Sequence, residues 1–256
     1  MGHAPLSRTS RAPRESIVGQ PNVRARIFSM HELAFWARLT AVYALHACLL
    51  MLCGYDWGWW QAWAYSLLFV SAGIGLRPWA EQRHPGLMAE REQFLRAPGV
   101  KSWDRVLAPL MALSLGLPLF VVAGLDHRFG WSPQFPSWLN ILGLVLAAAG
   151  YGFAGWAFLE NRFFSAVVRI QSERGHVVCD TGPYKIVRHP GYSGGVLSPF
   201  AMALALDSVW TLIPATAAVV IAVVRTALED RTLQKELPGY REYADRVRYR
   251  LVPGIY

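Results

Sequence analysis

Residues 195–224 read GVLSPFAMALALDSVWTLIPATAAVVIAVV, thirty residues with a single charge. The hydrocarbon core of a bilayer, ~30 Å thick, needs about 20 helical residues, so this stretch is too long for one simple span. Its one charge, Asp207, precedes Ser208, a turn or N-cap pair. The stretch therefore predicts a helical hairpin, 191–206 followed by 208–235. The first arm is short, which suits a re-entrant or tilted helix.

Four further apolar runs precede it: Leu33–Gly54, Trp59–Leu76, Val106–Leu125 and Trp138–Leu159. Each has spanning length. Pro109 and Pro118 interrupt the third, which membrane helices tolerate when neighbouring groups satisfy the freed carbonyls. The expectation is an all-α polytopic membrane bundle of about six helices.

Charge placement orients it. With the N-terminus inside, 24 of the 25 Lys and Arg residues fall on inner segments and only Arg128 falls outside. A single final span would strand the C-terminal basic residues on the wrong side, so the hairpin gains independent support. Both termini are expected in the cytosol and the chain in a bacterial inner membrane. The partition also explains how a chain of 256 residues is 54% hydrophobic yet carries a net charge of +8. That apolar content excludes disorder over most of the length, and a charged fraction of only 16% speaks against a nucleic-acid partner. Three cysteines exclude a disulfide scaffold. Cys48 and Cys53 read as packing residues, and Cys179 lies on the reducing inner side.

Three regions follow: a basic tail over 1–29, helices 1–3 with an inner loop at 77–105 inside 30–130, and a core over 131–256. The tail lacks the apolar stretch of a signal peptide, although an Arg-rich, acid-poor start also fits an organelle transit peptide. The seven histidines are scattered with no HExxH, so no metal is expected, and no GxGxxG stands ahead of a predicted helix.

Chemistry concentrates in His176–Tyr192, HVVCDTGPYKIVRHPGY. Thr181-Gly182-Pro183 is a turn, and His189-Pro190 marks a helix start. That helix N-terminus, with Arg188 and His189 beside it, suits an anionic group. Gly191, Gly194 and Gly195 allow close approach of a helix or a ligand. Each part also has a plainer reading: Arg188 as a snorkelling anchor, His189 as a cap, Tyr184 and Tyr192 as interface aromatics. A second group is Arg225 and Glu229, four residues apart on one face at the inner end of the last helix.

At these residues the chain resembles the isoprenylcysteine carboxyl methyltransferase family and its bacterial relatives, which overlap the phospholipid methyltransferases. The resemblance covers Asn161 to Pro253: His176 six residues before Gly182-Pro183-Tyr184, then Arg188-His189-Pro190-x-Tyr192-x-Gly194, an apolar hairpin, Arg225-xxx-Glu229-Asp230, and Tyr240-xx-Tyr243 before a Pro-Gly end. The family's usual Glu-Glu is Glu229-Asp230 here, and its Phe-Gly is Leu237-Pro238-Gly239. The resemblance implies S-adenosylmethionine (SAM) as methyl donor, bound on the cytosolic side. It implies a cofactor pocket of His176, Val178, Tyr184, Arg188, His189, Pro190, Tyr192 and Glu229, with Tyr240 and Tyr243 as weaker members. Arg225, with Arg188, is implied in catalysis, Arg225 orienting a lipophilic or small membrane-accessible acceptor. A carboxylate acceptor is favoured, with thiol and amine open. NADPH-dependent membrane sterol reductases share a similar C-terminal pattern and form the competing reading, and a non-catalytic scaffold is a third.

Overall fold

The computed structural model describes Met1 and residues 30–256, so the basic tail expected over 1–29 lies outside the described residues. Ten α-helices follow in order: α1 (Met30–Gly54), α2 (Trp60–Gly75), α3 (Arg77–Arg83), α4 (Leu87–Gln93), α5 (Asp104–Ser114), α6 (Leu117–Phe129), α7 (Ser137–Glu160), α8 (Pro190–Ala205), α9 (Leu212–Glu236) and α10 (Tyr240–Arg246). Among the described residues there is no strand. The fold is an all-α membrane helix bundle. Four segments are long and apolar enough to cross a bilayer: Leu33–Gly54, Asp104–Phe129, Ser137–Glu160 and Leu212–Glu236. The other two apolar helices, α2 and α8, have 16 residues each. Leu45, Leu67, Leu113, Val145 and Val220 point outward and exposed, as side chains facing acyl chains do.

Asp207 sits in the turn between α8 and α9, where its backbone adopts a left-handed φ of 56°. Its Oδ1 accepts from Asn140 Nδ2 at 2.7 Å and from the Phe135 amide at 2.9 Å. Buried Asp126, near the end of α6, gathers the Ser132 amide at 2.7 Å and the Ser132 and Ser208 hydroxyls at 2.7 and 2.6 Å. These bonds tie the α6–α7 and α8–α9 turns into one end of the bundle. Trp57, Trp131, Trp138 and Trp210 are exposed there, forming half of an aromatic belt.

The third apolar run departs from the single helix expected. It breaks after Ser114, and α6 restarts at Leu117 with Pro118 in its first turn. Proline has no amide proton for the Ser114 carbonyl, and its ring obstructs helix in front of it. The inner loop 77–105 is also partly helical. Ala80, Leu87 and Met88 bury themselves against Phe35, Phe158 and Phe164, which gives α3 and α4 a core to pack on.

The tightest helix pair is α7 with α8, and small residues make it possible. On α7 the contact residues are Gly143, Ala147, Gly150 and Ala154, and on α8 they are Gly194, Ser198, Ala201 and Ala205. Both sets run at helical three-four spacing, the membrane solution for close backbones. A Cβ on Gly194 would strike the Gly150 carbonyl oxygen and stand 2.9 Å from the Cβ of Ala154, whereas a Cβ on Gly195 meets nothing within 4 Å. Gly194→Ala is therefore expected to lower thermal stability by on the order of 1–3 kcal/mol through overpacking. Gly195→Ala is expected to leave it level or slightly raised. Melting both variants in one detergent checks the pair, and equal melting temperatures would refute the packing account.

Candidate functional site

The segment 161–189 leaves α7, folds across the opposite end of the bundle from the tryptophan-rich turns, and delivers the chain into α8. It encloses, with α4, α5, α8, α9 and α10, a cavity of about 260 Å³. His176, Val178, Tyr184, Arg188, His189, Tyr192, Arg225, Glu229, Tyr240 and Tyr243 all line it. Pro190 does not: it is buried in the first turn of α8, where its fixed φ suits a helix start.

Tyr192 stands at the centre. Its hydroxyl accepts from Arg225 Nη1 at 2.5 Å and donates to Glu229 Oε2 at 2.7 Å. The phenol thus bridges the two residues that share a face of α9. Arg225 makes its ion pair elsewhere: Nε reaches Asp104 Oδ1 at 2.6 Å and Nη2 reaches Oδ2 at 3.0 Å, both charges buried. Asp104 opens α5, 121 residues away, and also accepts from the Val168 amide at 2.6 Å. Sequence reasoning missed it. The available signal was an acid at the very edge of an apolar run.

Asp230 is fully buried and serves as a second hub. Arg188 pairs with it through Nε (2.8 Å) and Nη2 (3.1 Å), and Arg250 Nε (2.9 Å), Gln234 Nε2 (2.8 Å) and Tyr240 OH (3.1 Å) all donate to it. Arg188 Nη1 then reaches the Val247 and Arg248 carbonyls at 2.8 and 2.9 Å. The amides of Arg188 and His189 donate to the carbonyls of Tyr249 and Arg250, both at 2.9 Å. The donors that the sequence offered to an anion at the start of α8 are thus taken by Asp230 and the C-terminal tail.

His176 lies against Phe163 with ring centroids 4.4 Å apart, and its Nδ1 accepts from the Gln171 amide at 3.2 Å. Burial, and then the positive charges of Arg169, Arg174 and Arg162, pull its pKa to about 4, so the ring is neutral near pH 7. Burial pushes the Cys179 thiol up, away from thiolate chemistry. It likewise raises the Tyr184, Tyr240 and Tyr243 phenols, which stay protonated as donors.

Two letter patterns familiar from other sites occur in the wrong context. Gly150-x-Gly152-xx-Gly155 lies inside α7, not ahead of a helix. Gly191-x-Ser193-x-Gly195 lies within α8, and Ser193 Oγ donates to the Leu251 carbonyl at 2.7 Å, so no strand-to-helix nucleophile elbow exists. Among the described residues no group of three His, Cys, Asp or Glu side chains is placed to hold a metal.

The phospholipid methyltransferase family matches residues 138–238, which span α7, the cavity-forming segment, α8 and α9. Over 167 residues the chain is 31% identical to the cobalt-zinc-cadmium resistance protein CzcN of Cupriavidus metallidurans, an alignment covering 64% of this chain and 68% of that protein. Of the elements that build the cavity, the family match covers the 161–189 segment, α8 and α9, and the chain belongs to the phospholipid methyltransferase family, a family of membrane methyltransferases.

Proposed function

We propose that this chain transfers a methyl group from SAM, held in the cavity, to a lipophilic or small membrane-accessible acceptor, a carboxylate before a thiol or an amine. The site faces the cytosol of a bacterial inner membrane in this reading, following the charge partition. The isoprenylcysteine carboxyl methyltransferase resemblance belongs here too, as the finer reading of the family. The observation that carries the proposal is the convergence on one cavity of ten residues that the resemblance implies, centred on the Tyr192–Glu229 bond.

The residues present fit the cofactor. Glu229 is half-buried, and only its Oε2 has a described donor, which leaves Oε1 for a ribose hydroxyl or an amino group. Phe163, Tyr184 and Tyr240 supply aromatic surface suited to an adenine ring and a sulfonium. When bound, SAM supplies the electrophilic methyl, and the protein supplies alignment and electrostatics. Tyr192 locks the Glu229 rotamer. Arg188 acts through Asp230 as a positioning residue that holds the tail closed. Arg225 has its charge matched by Asp104, so its part is to orient the acceptor rather than to supply its counter-charge.

A carboxylate needs no base at pH 7, whereas a thiol or amine does. The candidate bases are poorly disposed: His176 is held near 4, His189 is engaged with Asp230, and Glu229 accepts from Tyr192. That favours the carboxylate. Glu229→Ala is expected to weaken SAM binding on the order of ten- to a hundredfold, the value of hydrogen bonds to a charged partner. Radiolabelled SAM and NADPH binding to the purified chain checks it. Unchanged SAM affinity in the variant, or NADPH binding in place of SAM, would sink the proposal.

A further inference from the structure

Every other arginine of the cavity wall has a carboxylate. Arg188 has Asp230, Arg225 has Asp104, and Arg169 has Glu90 at 2.7 Å and Glu173 at 2.6 Å. Arg91 has none among the described residues. It rises from α4 into the same cavity, beside Met111, Leu115 and Ser165. Its Nε is buried with no acceptor, and Nη1 reaches only the Phe164 carbonyl at a long 3.4 Å. The guanidinium lies instead beside the edge-packed rings of Phe158 and Phe164, 5.4 Å from each centroid.

A half-buried cation whose Nε has no acceptor and which has no counter-charge is destabilising, and a bound anion relieves that cost. Burial and the neighbouring Arg77 lower its pKa to about 10, so the charge persists at pH 7. Arg77 adds to the positive field. It donates to the Gly73 carbonyl and to Tyr43 OH, and has no carboxylate among the described residues. Arg77 lines an adjoining groove of about 420 Å³ with Tyr43, Phe69 and Ala112, and Leu115 lines both spaces. The mostly apolar groove therefore shares the Leu115 wall with the cavity, at the break between α5 and α6.

We propose that Arg91 is the specificity-determining residue for the acceptor: it pairs with the carboxylate of an amphiphilic substrate whose chain extends along the adjoining groove. This rests on the methyltransferase reading above. Arg91 lies outside the residues the family match covers. Its logic is self-limiting. Methylation turns an anion into a neutral ester, so the group that attracts the substrate has no hold on the product.

The test uses the full chain in detergent, with the fluorescent fatty acid cis-parinaric acid and its methyl ester as probes. The parent is expected to bind the acid at least about tenfold more tightly than the ester. Arg91→Met is expected to abolish that preference, with ester and SAM affinities within about twofold of the parent, and Arg91→Lys is expected to restore part of it. Arg91→Gln serves if Arg91→Met does not fold. Equal binding of acid and ester by the parent, or a preference that survives in the neutral variants, overturns the proposal. Absent SAM binding in a parent that still prefers the acid overturns the methyltransferase reading and leaves the anion site standing.

Discussion

Asp230→Ala is expected to cost about 3–5 kcal/mol and to free the C-terminal tail, because it removes the shared partner of two arginines in a buried setting. Arg188 and Arg250 lose their carboxylate together, and Tyr240 and Gln234 lose an acceptor. The backbone bonds from Arg188 and His189 to Tyr249 and Arg250 remain, but the side-chain lattice that clamps the tail onto α8 and α9 is gone. Limited trypsin digestion reads the outcome: Arg246, Arg248 and Arg250 become cleavage sites in the variant and resist in the parent. Chemical unfolding gives the energy. A variant that melts with the parent and keeps its tail intact would remove Asp230 from the account.

The second large effect separates folding from catalysis at Arg225. Arg225→Ala alone leaves Asp104 fully buried with only the Val168 amide as donor, a loss of about 3–5 kcal/mol. Lost activity in that variant therefore says nothing about orientation of the acceptor. The informative protein is Asp104→Leu with Arg225→Met, which removes both charges and keeps the volume. It is expected to recover most of the stability and SAM binding while methyl transfer stays lost. Four melting temperatures and four turnover rates complete the cycle. Recovery of turnover in the double variant would reduce the pair to a structural brace.

The two arginines explain what a one-dimensional reading reaches. Apolar length and charge partition reveal α1, α2, α7 and the hairpin, because a bilayer imposes those properties on each segment locally. The residues of His176–Tyr192 and of Arg225–Glu229 stand out because polar groups are rare beside such runs. Arg91 and Asp104 do not stand out. Arg91 sits in a loop with Arg77, Arg83 and Arg96, where it reads as one more inner positive charge, and Asp104 reads as a helix-starting acid. Their importance comes from tertiary partners 121 residues away in one case and from the absence of a partner in the other. The break at Gly116 was written in Pro118, but whether a proline kinks a helix or ends it is settled by what packs around it: a Cβ on Gly116 would strike the ring of His46.

The brevity of α8 carries a consequence for the membrane itself. Sixteen residues rise about 24 Å, some 6 Å less than a ~30 Å hydrocarbon slab. With its far end fixed among the tryptophans, the helix can meet both surfaces only where the bilayer thins around it, or else begin below the headgroups. In the second case the floor of the cavity lies at acyl-chain depth, and in the first the surface dips to meet it. Under the proposed methyl-transfer reading, a lipophilic acceptor then has little distance to climb, and the thickness of the host membrane becomes a variable of the reaction.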